Sequence, residues 1–176
     1  MRLRLIAEPG PSEIEPEEWE LADTLRRLRE EMIATIQPVS ACATCGRGFP
    51  LPNGRWDGGY CCGGTTENVF SQAELASIRA SGTKPGDLRI REYEQAGCAF
   101  RCPNGCILEP AHRPNLCVRY ACRMLNREYD ERGISSEVRR IASSIQRTFS
   151  RFETLRNRRI EHEFLDAAER AIRGRR

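Results

Sequence analysis

Nine cysteines stand between residues 42 and 122: Cys42, Cys45, Cys61, Cys62, Cys98, Cys102, Cys106, Cys117 and Cys122. None lies in the first 41 residues or the last 54. Cysteines that serve as small core hydrophobes are scattered along a chain. A cluster this dense points to sulfurs that meet at one shared object, and a metal is the natural object. All nine are candidate metal ligands. Thiolate donors select zinc, iron or an iron–sulfur cluster.

The spacing sharpens this. Cys42-Ala-Thr-Cys45-Gly46 is a CxxC knuckle. Two intervening residues let both thiolates reach one metal while backbone amides face the sulfurs. Thiol–disulfide enzymes use the same spacing. Phe49-Pro50-Leu51-Pro52 is followed by Asn53-Gly54, a hairpin-turn signal. A small β-hairpin there returns Cys61 and Cys62 beside Cys42 and Cys45. Gly58, Gly59, Gly63 and Gly64 let the backbone bend closely around a cluster. A disulfide between adjacent Cys61 and Cys62 is strained. The pair therefore serves one metal through a sharp turn, or two sites. Further on, Pro103-Asn104-Gly105 is a turn that lets Cys102 and Cys106 converge. Cys117 and Cys122 are five apart, about 140° around a helix. They share a target only if the helix begins between them.

The run Cys98-x3-Cys102-x3-Cys106-Ile107-Leu108-Glu109, continuing through Arg113-Pro114 to Cys117, resembles the YkgJ-like cysteine-cluster proteins. The likeness spans roughly residues 42–122. It implies a zinc- or iron-chelating domain with Cys42, Cys45, Cys61, Cys62, Cys98, Cys106 and Cys117 as ligands. The chain departs from that pattern in two places. Fifteen residues separate Cys45 from Cys61, and Leu108 stands where the family has tyrosine.

Eight cysteines suffice for two four-thiolate zinc sites, and four hold one [4Fe–4S] cluster. The sequence does not choose between zinc and iron. Four thiolates around a divalent ion carry a formal charge of about −2, which Arg101, Arg113, Arg119 and Arg123 are placed to offset. His112 is a weaker ligand candidate, and His162 is expected on an exposed helix face. No phosphate-binding glycine loop, Ser–His–Asp order or HExxH is present, so no catalytic residue is assigned.

The flanking elements must position these thiols. Pro16 suits the first position of a helix over residues 16–36, and Glu17, Glu18 and Glu20 suit its positive end. Leu21, Leu25, Leu28, Met32 and Ile36 form its apolar stripe, with Arg26, Arg27 and Arg29 read as off it. Ser71 caps a second helix ending near Ala80. There Glu74 completes a capping box, Phe70 and Leu75 form a staple, and Leu75 and Ile78 face the core. Pro114 is expected to start a helix reaching about Arg132, stopped by Gly133. Ser135 or Ser136 caps the last helix. Its seam runs through Val138, Ile141, Ile145, Phe149, Phe152 and Leu155 and extends to Ile160, Phe164, Leu165, Ala168 and Ile172.

Residues 1–31 carry a net charge of −4 and residues 136–176 one of +5, so the two ends are expected to face each other. The uncovered part of the seam would serve a protein partner or self-association, or curl onto the middle of the chain. Arg139, Arg140, Arg147, Arg151, Arg156, Arg158 and Arg159 read as a solvated face partly paired with the acidic helix, so no nucleic-acid partner is expected.

The expected fold class is mostly α, with an irregular, loop-rich cysteine-cluster core, a small β-hairpin and metal stabilisation. Its parts are an acidic helix in 1–40, the cysteine cluster in 41–125 and a basic helical segment in 126–176. Only 39% of residues are apolar, so metal would assist a modest core. The start of the chain lacks the apolar run of a secretory signal, and no stretch is long enough to span a membrane. A cytoplasmic metal-binding protein is the leading expectation. The alternatives are an iron–sulfur redox accessory and a metal-stabilised adaptor for protein or nucleic acid.

Overall fold

The computed structural model describes residues 14–38, 69–89, 99–102 and 105–174, with the side chains of Arg101 and Cys102 excluded. The description is mostly helical. α1 spans Pro16–Ile36, as its apolar spacing predicts. α2 spans Gln72–Ala80, and Ser71 Oγ caps it by accepting from the Glu74 amide. α3 spans Asn115–Arg119 and α4 spans Arg123–Glu131. α5 runs through 39 residues, Ser135–Arg173.

β1 (Arg101–Cys102) pairs antiparallel with β2 (Gly105–Cys106), two residues on each side. The hairpin expected around Asn53-Gly54 lies outside the described residues. Short 3₁₀ turns occur at Pro85–Leu88 and Pro110–His112. Gly82 and Gly133, at φ +97° and +68°, take the left-handed conformation that closes α2 and α4. Among the described residues no helix is long and apolar enough to cross a membrane.

Two apolar clusters organise these elements. In the first, Ala22, Leu25, Met32, Ile33 and Ile36 of α1 meet Val138, Ile141, Ile145 and Phe152 of α5. Val118, Leu125 and Tyr129 join them. The second holds Val69, Phe70, Leu75, Ile78, Leu88, Phe100 and Leu108. Phe70 and Leu75 thus bury together, as the staple requires. α2 is a wall shared by both clusters, since Ala80 belongs to the first.

The oppositely charged ends do pair, and the helices run antiparallel. Arg140 bonds Glu31, Arg151 bonds Glu17 and Arg159 bonds Glu18.

Four sequence expectations about helix bounds and buried faces need correction. First, the helix expected from Pro114 to Arg132 is two helices, because Tyr120 and Cys122 are extended. α3 divides its apolar side chains between the clusters, Leu116 to the second and Val118 to the first, whereas α4 gives Leu125 and Tyr129 to the first alone. The interruption reorients the backbone between these demands.

Second, the last helix is not capped by a serine. Its N-cap is Ile134, and Ser135 Oγ bonds Asp130 instead.

Third, Arg29 is not off the stripe of α1. It lies four residues after Leu25 and three before Met32, and it is fully buried.

Fourth, the buried face of α5 does not continue through Ile160. The period that places Ile145, Phe149 and Phe152 reaches Arg156 and Arg159 next. Ile160, Phe164, Leu165 and Ile172 remain 42%, 72%, 56% and 64% exposed. α5 therefore extends about 20 Å past the Glu18–Arg159 pair, at 1.5 Å per residue.

Candidate metal centre

The described residues place three of the nine thiols. Cys106 and Cys117 are half-buried and pack against the second apolar cluster, together with Ile107 and Leu116. Cys122 is also half-buried, but it packs against the first cluster. Cys106 and Cys117 thus share a cluster, and Cys122 belongs to the one that also takes Val118, the neighbour of Cys117. Cys42, Cys45, Cys61, Cys62 and Cys98 lie outside the described residues, as does the Cys102 side chain. Among the described residues no three His, Cys, Asp or Glu side chains gather in a group able to hold a metal.

The segment carrying Cys106 is anchored to the core beneath it. The Ile107 amide donates to the Phe100 carbonyl at 2.9 Å. Phe100 is fully buried and its ring lies 5.2 Å from that of Phe70. Arg113 Nε donates to the Leu108 carbonyl at 2.8 Å, drawing the following loop back on itself.

The segment carrying Cys117 is held differently, by a buried polar network. Pro114 is the N-cap of α3 and offers no capping side-chain bond. The carboxylate of Glu74 takes that role from across the fold. Its Oε2 accepts from the Asn115 amide at 2.8 Å and from Asn115 Nδ2 at 2.9 Å. Its Oε1 accepts from the Leu116 amide at 2.9 Å. The carboxylate also complements the positive end of the short helix. Glu74 therefore does not complete a capping box at the start of α2, as sequence alone had it.

Asn115 is fully buried and links the network. Its Nδ2 also donates to Ser77 Oγ at 3.0 Å, and its Oδ1 accepts from Arg29 Nη1 at 3.0 Å. Arg29 reaches further, to Ser81 Oγ at 3.0 Å and twice to the Ala111 carbonyl, at 3.2 and 2.9 Å. Burial raises the Glu74 pKa above the ordinary carboxylate value, opposed by the bonds it accepts from Asn115 and Leu116. Burial lowers the Arg29 guanidinium to about 10, so it remains a cation at neutral pH. Asn115 therefore bridges a carboxylate and a guanidinium that water does not reach.

Other candidates fall as follows. His112 Nδ1 lies 2.9 Å from Thr83 Oγ1, and its Nε2 lies 3.9 Å from Asp87. His162 is exposed and pairs with Asp166 at 3.2 Å. The Nε of Arg119 is buried without a hydrogen-bond partner among the described residues. On α5, Arg140, Arg151 and Arg159 pair with α1, and Arg156 is half-buried.

Sequence reasoning missed Arg29, Asn115 and the long reach of Glu74. For Arg29 the signal was present: a charged residue at an apolar position of the helical period. For Glu74, the local capping motif offered a sufficient explanation and concealed the distant one.

Comparison with family models, curated proteins and solved structures found no match.

Proposed function

We propose that this chain is a metal-binding protein that takes zinc or iron through its cysteine cluster. The iron form would be mononuclear or an iron–sulfur cluster. The observation that supports the reading is that Cys106 and Cys117 are both half-buried and pack against the same apolar cluster. Cys42, Cys45, Cys61, Cys62, Cys98 and Cys102 complete the proposed donor set. Cys122, which packs against the other cluster, is a further candidate donor.

Arg119 Nε, buried without a hydrogen-bond partner among the described residues, fits the same centre. A buried N–H without a partner costs about 1–3 kcal/mol. Arg119 lies two residues after Cys117, and a thiolate-rich, negatively charged site would offer it an acceptor. The metal would supply structural stabilisation in a zinc form and one-electron chemistry in an iron–sulfur form.

Elemental analysis of untagged protein, purified anaerobically without added metal, tests this. At least one equivalent of zinc plus iron per chain is expected. Less than about half an equivalent overturns the proposal, given that structural zinc binds with about 10–16 kcal/mol. A brown protein with broad absorption near ~400 nm, bleached by dithionite, assigns the iron–sulfur form. A colourless, zinc-loaded protein assigns the other.

A further inference from the structure

The stability of α3 cannot be its own. It has five residues, far below the roughly 12–15 at which an isolated helix persists. Its first two amides, Asn115 and Leu116, would be orphans at its N-terminus. A carboxylate from α2 satisfies both, and a guanidinium from α1 and a hydroxyl from α2 fix the side chain of Asn115. Cys117 follows directly, half a turn along.

We infer that Glu74 is the positioning residue for Cys117. By gripping the Asn115 and Leu116 amides, it sets the first turn of α3 and hence the direction of the Cys117 sulfur. Asn115 relays the hold to Arg29, so the aim of the thiolate depends on the docking of α1. The inference rests on the thiolate–metal reading and adds to it a support that acts without touching the metal. Groups that orient metal ligands from behind typically change metal affinity 10–100-fold.

Cobalt(II) loaded into the full chain is the probe. Its thiolate charge-transfer absorption reports sulfur ligation, and its transfer to a chelator reports release. Glu74→Gln offers one acceptor oxygen and sets an NH₂ against the α3 amides, so it cannot reproduce three accepted bonds. Release about 10–100-fold faster than wild type is expected, with a weakened charge-transfer band. Phe152→Leu, in the α1–α5 seam, is the control for general destabilisation, and its release should stay close to wild type.

Glu74→Gln that releases cobalt no faster than Phe152→Leu overturns the inference while leaving the metal reading intact. Where Glu74→Gln does not fold, Ser77→Ala carries the test. It removes one bond to Asn115, and release faster than the Phe152→Leu control supports the inference, whereas release equal to it overturns it. Wild-type protein that takes up no cobalt overturns the metal reading and the inference together.

Discussion

Arg29→Met is expected to remove about 3–5 kcal/mol of unfolding free energy, the cost of taking one charge out of a buried, hydrogen-bonded charged network. Domains of this kind have roughly 5–15 kcal/mol in total, so the variant sits near the threshold of folding. The methionine fills much of the space but donates nothing. Ala111 O, Ser81 Oγ and Asn115 Oδ1 each lose a donor. Glu74 loses the positive charge that opposes its burial.

The pH dependence has a definite sign. Glu74 is already raised above 4.5 in the folded chain, and without Arg29 it rises further. A carboxyl raised in the folded state holds a proton that the unfolded chain has released. Stability is then lost as pH rises above the ordinary carboxylate value through the folded one. The gap between wild type and Arg29→Met should therefore be wider at pH 8 than at pH 5. Urea unfolding at both values checks this, and a gap that narrows with rising pH contradicts it. Combining Arg29→Met with Glu74→Gln should cost less than the sum of the two, because the double variant strands no charge. Strict additivity would show that Asn115 does not couple them.

The second large effect belongs to a buried ion pair. Glu18 and Arg159 form a two-pronged bond, at 2.9 and 3.1 Å, between side chains 2% and 10% exposed. Arg159 is held above its ordinary pKa first by the Glu18 bond, against the opposing pull of burial. The neighbouring Arg156 is lowered by burial and then by the charge of Arg159. Glu18→Ala leaves Arg159 its bond to Glu163 but removes the buried carboxylate that faces it and the neighbouring Arg156. A loss of about 3 kcal/mol is expected, or roughly 6–12 °C in melting temperature for a chain of this size. Glu17→Ala breaks the exposed pair with Arg151 and should cost under about 1 kcal/mol. Thermal unfolding of the two variants gives the comparison. Equal shifts would mean that the Glu18–Arg159 pair contributes no more than a surface contact.

The Arg29–Asn115–Glu74 network and the Glu18–Arg159 pair also mark where the sequence was legible. Apolar spacing located α1, α2 and the N-terminal part of α5, because a helix that buries one face must repeat at 3.6 residues. The opposed charges of the two ends foretold which helices meet. The same periodicity was then read too narrowly. Arg29, Glu18 and Arg159 occupy positions of the buried face, but the two arginines were read as off the apolar stripes and Glu18 only as a partner of the helix dipole.

The break between α3 and α4 left no local trace. No proline or glycine lies between Asn115 and Arg132, and the interruption answers the demands of two separate clusters. For the candidate site, the sequence supplied the donors, and the structure supplied the shared cluster of Cys106 and Cys117 and the buried network behind the latter. Cys122 packs against the first cluster, and Cys106 and Cys117 against the second.

The most direct measurement is X-ray absorption at the metal edge of the protein as purified, with its extended fine structure fitted for ligand type and number. The account predicts a first shell of sulfur, at about 2.3 Å for zinc, with the sulfur number reduced in Cys106→Ser and again in Cys117→Ser. A first shell of oxygen and nitrogen alone, near about 2.0–2.1 Å, or a sulfur shell indifferent to both substitutions, would contradict it.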